Sequence, residues 1–135
     1  MPAKRRSLLD SFALLAFLNK ERGFEKVKLL LRAAAASSEP MLMNEISLGE
    51  VCYVTAKARS TKHAEEFRQR LETLPIQPVS NSFSDVLEAA QIKARFPIPY
   101  ADAFAVATAM RMDAVLVTGD PELQAVDDLV RIDWL

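Results

Sequence analysis

Two residue types on which small enzymes often build a site are almost missing from this chain. Its 135 residues include one cysteine, Cys52, and one histidine, His63. A lone cysteine excludes an internal disulfide. The two together exclude an all-Cys/His zinc site, and leave His63 as the one residue on which a histidine-dependent nucleophile triad could rest. There is also no apolar run near the ~20 residues of a membrane span. The opening "MPAKRRSLLD" is basic but leads into only a short apolar stretch, without the long hydrophobic region and small-residue cleavage site of a secretory signal. A cytoplasmic protein with no membrane segment is expected. A strong charge of either sign is absent too, since 17 Lys and Arg face 18 Asp and Glu for a net charge of -1. That balance argues against a strongly basic nucleic-acid binder and leaves room only for a local basic rim. Apart from His63, any chemistry must rest on carboxylates, hydroxyls, Lys or Arg.

What is present is a globular composition, 50% apolar and 26% charged, on a length that suits one domain spanning residues 1–135. Such a chain buries roughly two-thirds of its unfolded surface. No repeat, low-complexity tract or dividing linker interrupts it. Short apolar runs at 7–10, 41–43, 76–80, 114–118 and 129–133 read as strands, with Pro78 marking an edge position. Between them the spacing predicts helices. The first runs over 11–23, with Ser11 near its N-cap and Gly23 as its stop, and the second over 25–36, with Val27, Leu30, Leu31 and Ala34 on one face. The others cover 44–59, capped by Asn44, then 61–74, 83–96 and 100–111. Strands alternating with helices argue for an α/β fold whose parallel sheet is covered on both faces.

Four acids stand out against this frame. Asp10 closes the first strand and Asp120 follows the fourth, and in open α/β sheets the crevice outside the carboxyl ends of the strands is where ligands bind. An Asp at such a junction also serves as an ordinary turn or cap residue. Glu50 has Ile46, Tyr53 and Val54 at helical neighbour positions, so its carboxylate projects from an apolar helix face and needs a cationic side chain or a metal as partner. Asp102 is the only charged residue between Ala101 and Met110. A helix apolar all round is a buried one. The helix dipole explains why an acid in its first turn is tolerated, by ~0.3–1 kcal/mol, but not why the chain places one there. A doubly wound sheet can bring all four to one mouth. Their mutual repulsion would raise their pKa values, and a hard divalent cation, Mg²⁺ or Mn²⁺, would relieve it. That arrangement suits attack of water on a phosphodiester.

The stretches "LLDSFALLAFLNKE", "EISLGEV", "YADAFAVATA" and "VTGDPEL" resemble, in order and spacing, the motifs of PIN-domain proteins, most of all the VapC-type toxin ribonucleases of prokaryotic toxin–antitoxin pairs. The resemblance spans nearly the whole chain. It implies a PIN-like α/β/α sandwich with a mostly parallel sheet of about five strands, and a Mg²⁺- or Mn²⁺-dependent endoribonuclease. By position, Asp10, Glu50, Asp102 and Asp120 match the family's catalytic, metal-holding acids. Ser11 and Thr118 match its hydroxyl residues, and Glu122 falls where many members carry a further acid. The implied partners are an RNA substrate, a cognate antitoxin whose C-terminal helix fills a groove of the first helices, and a second copy in a homodimer. One departure lies at Phe12, where the family commonly has a small hydroxyl residue.

Basic residues flank the acids in sequence: Lys4, Arg5 and Arg6, then Lys57, Arg59 and Lys62, then Lys93, Arg95 and Arg111. They can serve RNA phosphates or simply form a solvated face. The "FALLAFL" run (12–18) reads as core helix with an apolar remainder for a partner. Cys52 is expected to be a small buried hydrophobe, His63 to face solvent, and Trp134 to pack on the sheet edge. Two other functions compete. One is a catalytically weak interaction or RNA-holding module of the same fold, for which Phe12 is the main support. The other is a phosphatase or phosphoacceptor domain, which lacks a second Asp two residues after the first because Phe12 stands there.

Overall fold

Neighbouring residues of the first strand face opposite ways, and the whole architecture can be built from that alternation. In the computed structural model, which describes residues 5–135, β1 is Ser7–Leu9. Leu8 belongs to one apolar core and Leu9 to another, on the opposite face of the sheet. The same split divides Leu42 from Met41 and Met43 in β2 (Met41–Asn44), and Leu116 from Val117 in β4 (Val115–Thr118). Strands buried on both faces are continuous apolar runs, which is how these three read. β3 (Ile76–Val79) and β5 (Ile132–Trp134) complete a sheet ordered β3-β2-β1-β4-β5, parallel throughout.

Six α-helices cover the two faces. α1 (Ser11–Leu18), α2 (Phe24–Ser37), α3 (Glu45–Ala58) and α4 (Thr61–Leu71) pack on the side of Leu9, Met43 and Val117. α5 (Phe83–Arg95) and α6 (Tyr100–Arg111) pack on the side of Leu8, Leu42 and Leu116, joined by a 3-10 helix at Pro121–Val126. This is an α/β/α sandwich. Steps from β1 to β2 to β3 cross one face. The chain then returns over the other face to β4 and β5, as right-handed crossovers require when the direction of travel reverses. Pro78 lies on edge strand β3, where a missing N–H is tolerated.

A buried polar knot ties β2 to the far helix layer. Asn44 caps α3 by accepting from the Ile46 N–H at 2.9 Å, and its amide donates to Thr108 Oγ1 at 2.8 Å and Asn81 Oδ1 at 2.7 Å. Asn44 and Thr108 are both fully buried. The knot fixes the start of α3, which carries Glu50, against α6, which carries Asp102.

Several boundaries depart from the sequence reading. α1 stops at Leu18 rather than Gly23, because Asn19 ends it and Lys20 turns into the left-handed region at φ 52°. Gly23, at φ 96°, opens α2 instead of stopping α1. The residue capping α1 is Asp10, not Ser11. The last strand starts at Ile132 rather than 129, since the 3-10 helix and a turn occupy the preceding residues while Leu129 and Val130 pack on the core from outside the sheet. Among the described residues no helix is long and apolar enough to cross a membrane.

Candidate functional site

The strand order reverses at β1, whose neighbours are β2 on one side and β4 on the other. At such a switch point the loops leaving adjacent strands diverge to opposite faces and open a crevice. Asp10 leaves β1 and Asp120 leaves β4, so the topology alone brings them together across more than a hundred residues of sequence.

Asp10 is buried, with 1% of its surface exposed. Its Oδ1 accepts the Ala13 N–H at 2.8 Å, and its Oδ2 accepts the Thr118 hydroxyl. Thr118, itself fully buried, also accepts the Asp120 N–H on its Oγ1 at 3.0 Å. Asp120 Oδ1 in turn accepts the Glu122 N–H at 3.0 Å, capping the 3-10 helix that Pro121 begins. The loops after β1 and β4 are thus stitched together by one hydroxyl. From the α3 side, Glu50 Oε1 accepts the Ser11 hydroxyl, so the residue after Asp10 reaches across to the second acid. Asp102 enters from α6, where Pro99 precedes the helix and places it in the first turn. Every residue from Asp102 to Ala109 is buried.

Burial is the main cause that raises the Asp10 carboxyl from 3.8 to about 7. The Thr118 and Ala13 hydrogen bonds oppose that rise, and the charges of Asp120 and Glu50 add to it. Asp102 is raised from 3.8 to about 7 as well, again chiefly by burial, then by Asp10, Asp120, Glu50 and Glu122. Asp102 therefore feels all four of the other acids. Among the described residues, none of the five forms an ion pair with Lys or Arg.

An all-oxygen, anionic donor set without a cation of its own fits a hard divalent ion in chemistry. As the side chains stand, however, no three acids among the described residues converge closely enough to ligate one ion. Both Asp10 oxygens and one Glu50 oxygen are turned to protein donors. Each of those oxygens keeps a second lone pair, so the donors orient the carboxylates and leave room on them for a metal.

Each residue expected at the site is accounted for. Asp10, Glu50, Asp102, Asp120, Ser11 and Thr118 meet at the mouth, and Glu122 lies on its exposed side. The expected environment of Glu50 needs correction. Ile46 and Tyr53 are 41% and 58% exposed, and the buried stripe of α3 is Ser47, Leu48 and Val51. Glu50 is half-buried at the border of that stripe. The basic rim needs correction too. Arg5 and Arg6 lie at the opposite end of β1, bound to Asp113 and to the Pro40 carbonyl and Gln77. Arg111, at the end of α6, is held by Asp85 and Glu88. Lys57, Arg59, Lys62, Lys93 and Arg95 are exposed and outside those pairs, while Lys4 lies outside the described residues. Cys52 is half-buried and His63 is exposed. Trp134 sits on edge strand β5, 40% exposed. The sequence reading missed Gly119, which lies against Phe12, and Thr108, whose signal was a hydroxyl in an otherwise apolar helix.

A family model described as PIN domain matches residues 7–129. No curated protein matches the sequence significantly. Solved structures share the fold. The DNA-bound VapBC of Salmonella typhimurium superposes with a TM-score of 0.71 at 17% identity, covering 96% of this chain and 98% of that one. VapBC2 of Rickettsia felis, bound to a fragment of its promoter DNA, gives 0.73 at 14% identity with the same coverage. VapBC-1 of nontypeable Haemophilus influenzae gives 0.64 at 16%, covering 95% and 96%.

Proposed function

This chain belongs to the PIN-domain family, and from that premise we propose that it is a Mg²⁺- or Mn²⁺-dependent endoribonuclease, the toxin of a VapBC-type pair. One observation carries the reading. Five acids gather at the switch point of the sheet, two of them with strongly raised pKa values, and none has a basic partner among the described residues. Burial of unpaired carboxylates is costly, and a divalent cation would remove that cost.

Asp10, Glu50, Asp102 and Asp120 would hold the cation, with the longer Glu122 reaching it through water. When bound, the ion supplies charge neutralisation at the phosphoryl oxygens and a lowered pKa for the attacking water. The chain's own groups prepare that chemistry. The Thr118 hydroxyl and the Ala13 N–H fix the Asp10 carboxylate in one orientation, and the Ser11 hydroxyl aims Glu50 at the same mouth. Burial and the neighbouring acids raise the Asp102 carboxyl to about 7, so it retains a proton much further toward neutral pH than an ordinary aspartate. No side chain here is a histidine, so proton movement is left to water and carboxylates.

The proposed partners follow from the same reading. The structural neighbours are toxin–antitoxin complexes, which supports a cognate antitoxin here. A groove with Leu18 and Phe67 at its floor and Arg59, Arg70 and Glu66 among its polar lining offers an antitoxin segment an apolar floor and charge of both signs. Homodimerisation and a cytoplasmic location belong to the same proposal.

The deciding experiment incubates purified protein, freed of any bound partner, with total and transfer RNA in Mn²⁺, in chelator, and as Asp102→Asn. Discrete metal-dependent products lost in the variant support the nuclease. A second reading, a catalytically weak interaction or RNA-holding module, is favoured by Phe12, an exposed aromatic residue two positions after Asp10. It predicts no saturable Mn²⁺ binding in calorimetry and no products.

A further inference from the structure

Phe12 is the second residue of α1, two after Asp10 and one after Ser11, and the residue is 42% exposed. An exposed aromatic alone says little. Its contact says more. A Cβ added to Gly119 would stand 2.4 Å from Phe12 Cε1, 3.1 Å from Cδ1 and 3.2 Å from Cζ. One edge of the ring therefore rests on the peptide between Thr118 and Asp120. Among the described glycines only Gly23 has a positive φ, so the backbone at 119 does not itself call for glycine. The ring does: any side chain at 119 would occupy its place. Two positions far apart in sequence are thus matched to hold an aromatic ring at the rim of the acid cluster. Its edge is wedged against one loop, and its stem is fixed in a helix whose cap is Asp10.

We propose that Phe12 is a stacking platform for an unpaired RNA base beside the phosphodiester on which the acids act. The proposal rests on the ribonuclease reading above. Phe12 has no proton to move and no oxygen to ligate a metal, so its contribution is to contact. A phosphodiester brought to Asp10 and Asp120 carries its neighbouring base past the residue between those two loops. Every base offers a π-face, so such a platform is tolerant of sequence. It does require the base to be unstacked, which favours loops and single strands over duplex.

The test pairs binding with cleavage. Single-stranded RNA carrying 2-aminopurine next to the cleavage position is titrated with wild type, Phe12→Tyr, Phe12→Leu and Phe12→Ala, all checked for folding. Stacking predicts fluorescence quenching by wild type and Phe12→Tyr. Phe12→Leu, which still fills the space over Gly119, should lose the quenching. Affinity should fall roughly tenfold or more in Phe12→Leu and Phe12→Ala, the scale of one base–aromatic contact. In cleavage, the loss should appear in KM rather than kcat. An abasic site at that position should cost wild type the same factor and cost Phe12→Ala nothing further. Quenching that persists in Phe12→Leu overturns the proposal, as does an abasic penalty that simply adds to that of Phe12→Ala. A loss confined to antitoxin binding also overturns it and makes Phe12 a protein contact. Quenching that depends on Phe12 in a protein that cuts no RNA would leave the platform standing and sink the nuclease reading, so the two fail separately. Gly119→Ala, which displaces the ring while leaving Phe12 in place, should reproduce the loss in Phe12→Ala.

Discussion

Carboxylates occur at the mouth and away from it, and the chain treats the two groups in opposite ways. Away from the mouth seven are matched with a cation, among them Asp113 with Arg5 at 3.3 Å and Asp85 with Arg111 at 3.2 Å. The Ser82 backbone N–H and hydroxyl, joined by the Arg111 guanidinium, hold Asp85 below the ordinary carboxylate range. At the mouth, Asp10 meets a hydroxyl and a backbone N–H, Asp102 faces only the other acids, and both are pushed up to about 7, chiefly by burial. The residue type is the same, while burial and the sign of the neighbours differ. One group settles the fold. The other is held near its uncharged form by burial first and by like charge second.

Asp102→Asn tests that contrast most severely. RNA cleavage in Mn²⁺ should fall on the order of 100-fold or more, the scale of losing a charge-stabilising group at a reacting centre. The metal-free protein should at the same time become more stable, because a disfavoured charge is gone. A variant that cuts at the wild-type rate would remove Asp102 from the site.

The next test is titration. The folded pKa values of Asp10 and Asp102 lie near 7 against an ordinary 3.8. Between those limits the unfolded chain has released protons that the folded chain retains, so stability must fall as pH rises from about 4 to about 7. In chelator, the melting temperature at pH 8 should lie roughly 5–10 °C below that at pH 5. Mn²⁺ should abolish most of that slope. A flat profile in chelator would mean that the acids are paired in solution.

Thr118→Val is a finer cut, since it keeps the shape and deletes the donor to Asp10. Mn²⁺ affinity measured by calorimetry should weaken roughly tenfold, as for other groups that orient a metal-binding carboxylate. Unchanged affinity would make the hydroxyl purely a link between loops. The smallest effect is expected away from the mouth. Arg111→Ala should lower the melting temperature by only about 1–3 °C and leave cleavage untouched. A clear loss of cleavage there would show that the two regions are coupled.

Most of the architecture was legible because strands buried on both faces must be continuous apolar runs, and β1, β2 and β4 are. The four acids were legible because each interrupts an apolar context or ends a strand. What escaped was set by tertiary contact. The end of α1 was misplaced because Lys20 adopts a left-handed turn that its sequence does not announce. The surroundings of Glu50 were misjudged because helical spacing cannot tell an apolar stripe that is covered from one left open, as Ile46 and Tyr53 are. The basic rim failed at Arg5, Arg6 and Arg111 because nearness in sequence to an acid is not nearness in space. The Phe12–Gly119 match could not be read at all without knowing that β1 lies beside β4.

That adjacency has a consequence for the order in which the molecule comes into being. The hydrogen bond from Thr118 to Asp10 closes a separation of 108 residues. Contacts so far apart in the chain are slow to form, and during synthesis the first partner must wait for the second. A growing polypeptide that has reached only the end of α5 already holds Asp10 and Glu50, but not Asp102, Thr118 or Asp120. If the finished protein destroys RNA, its topology keeps it harmless to the message that encodes it until the segment through Asp120 has been made.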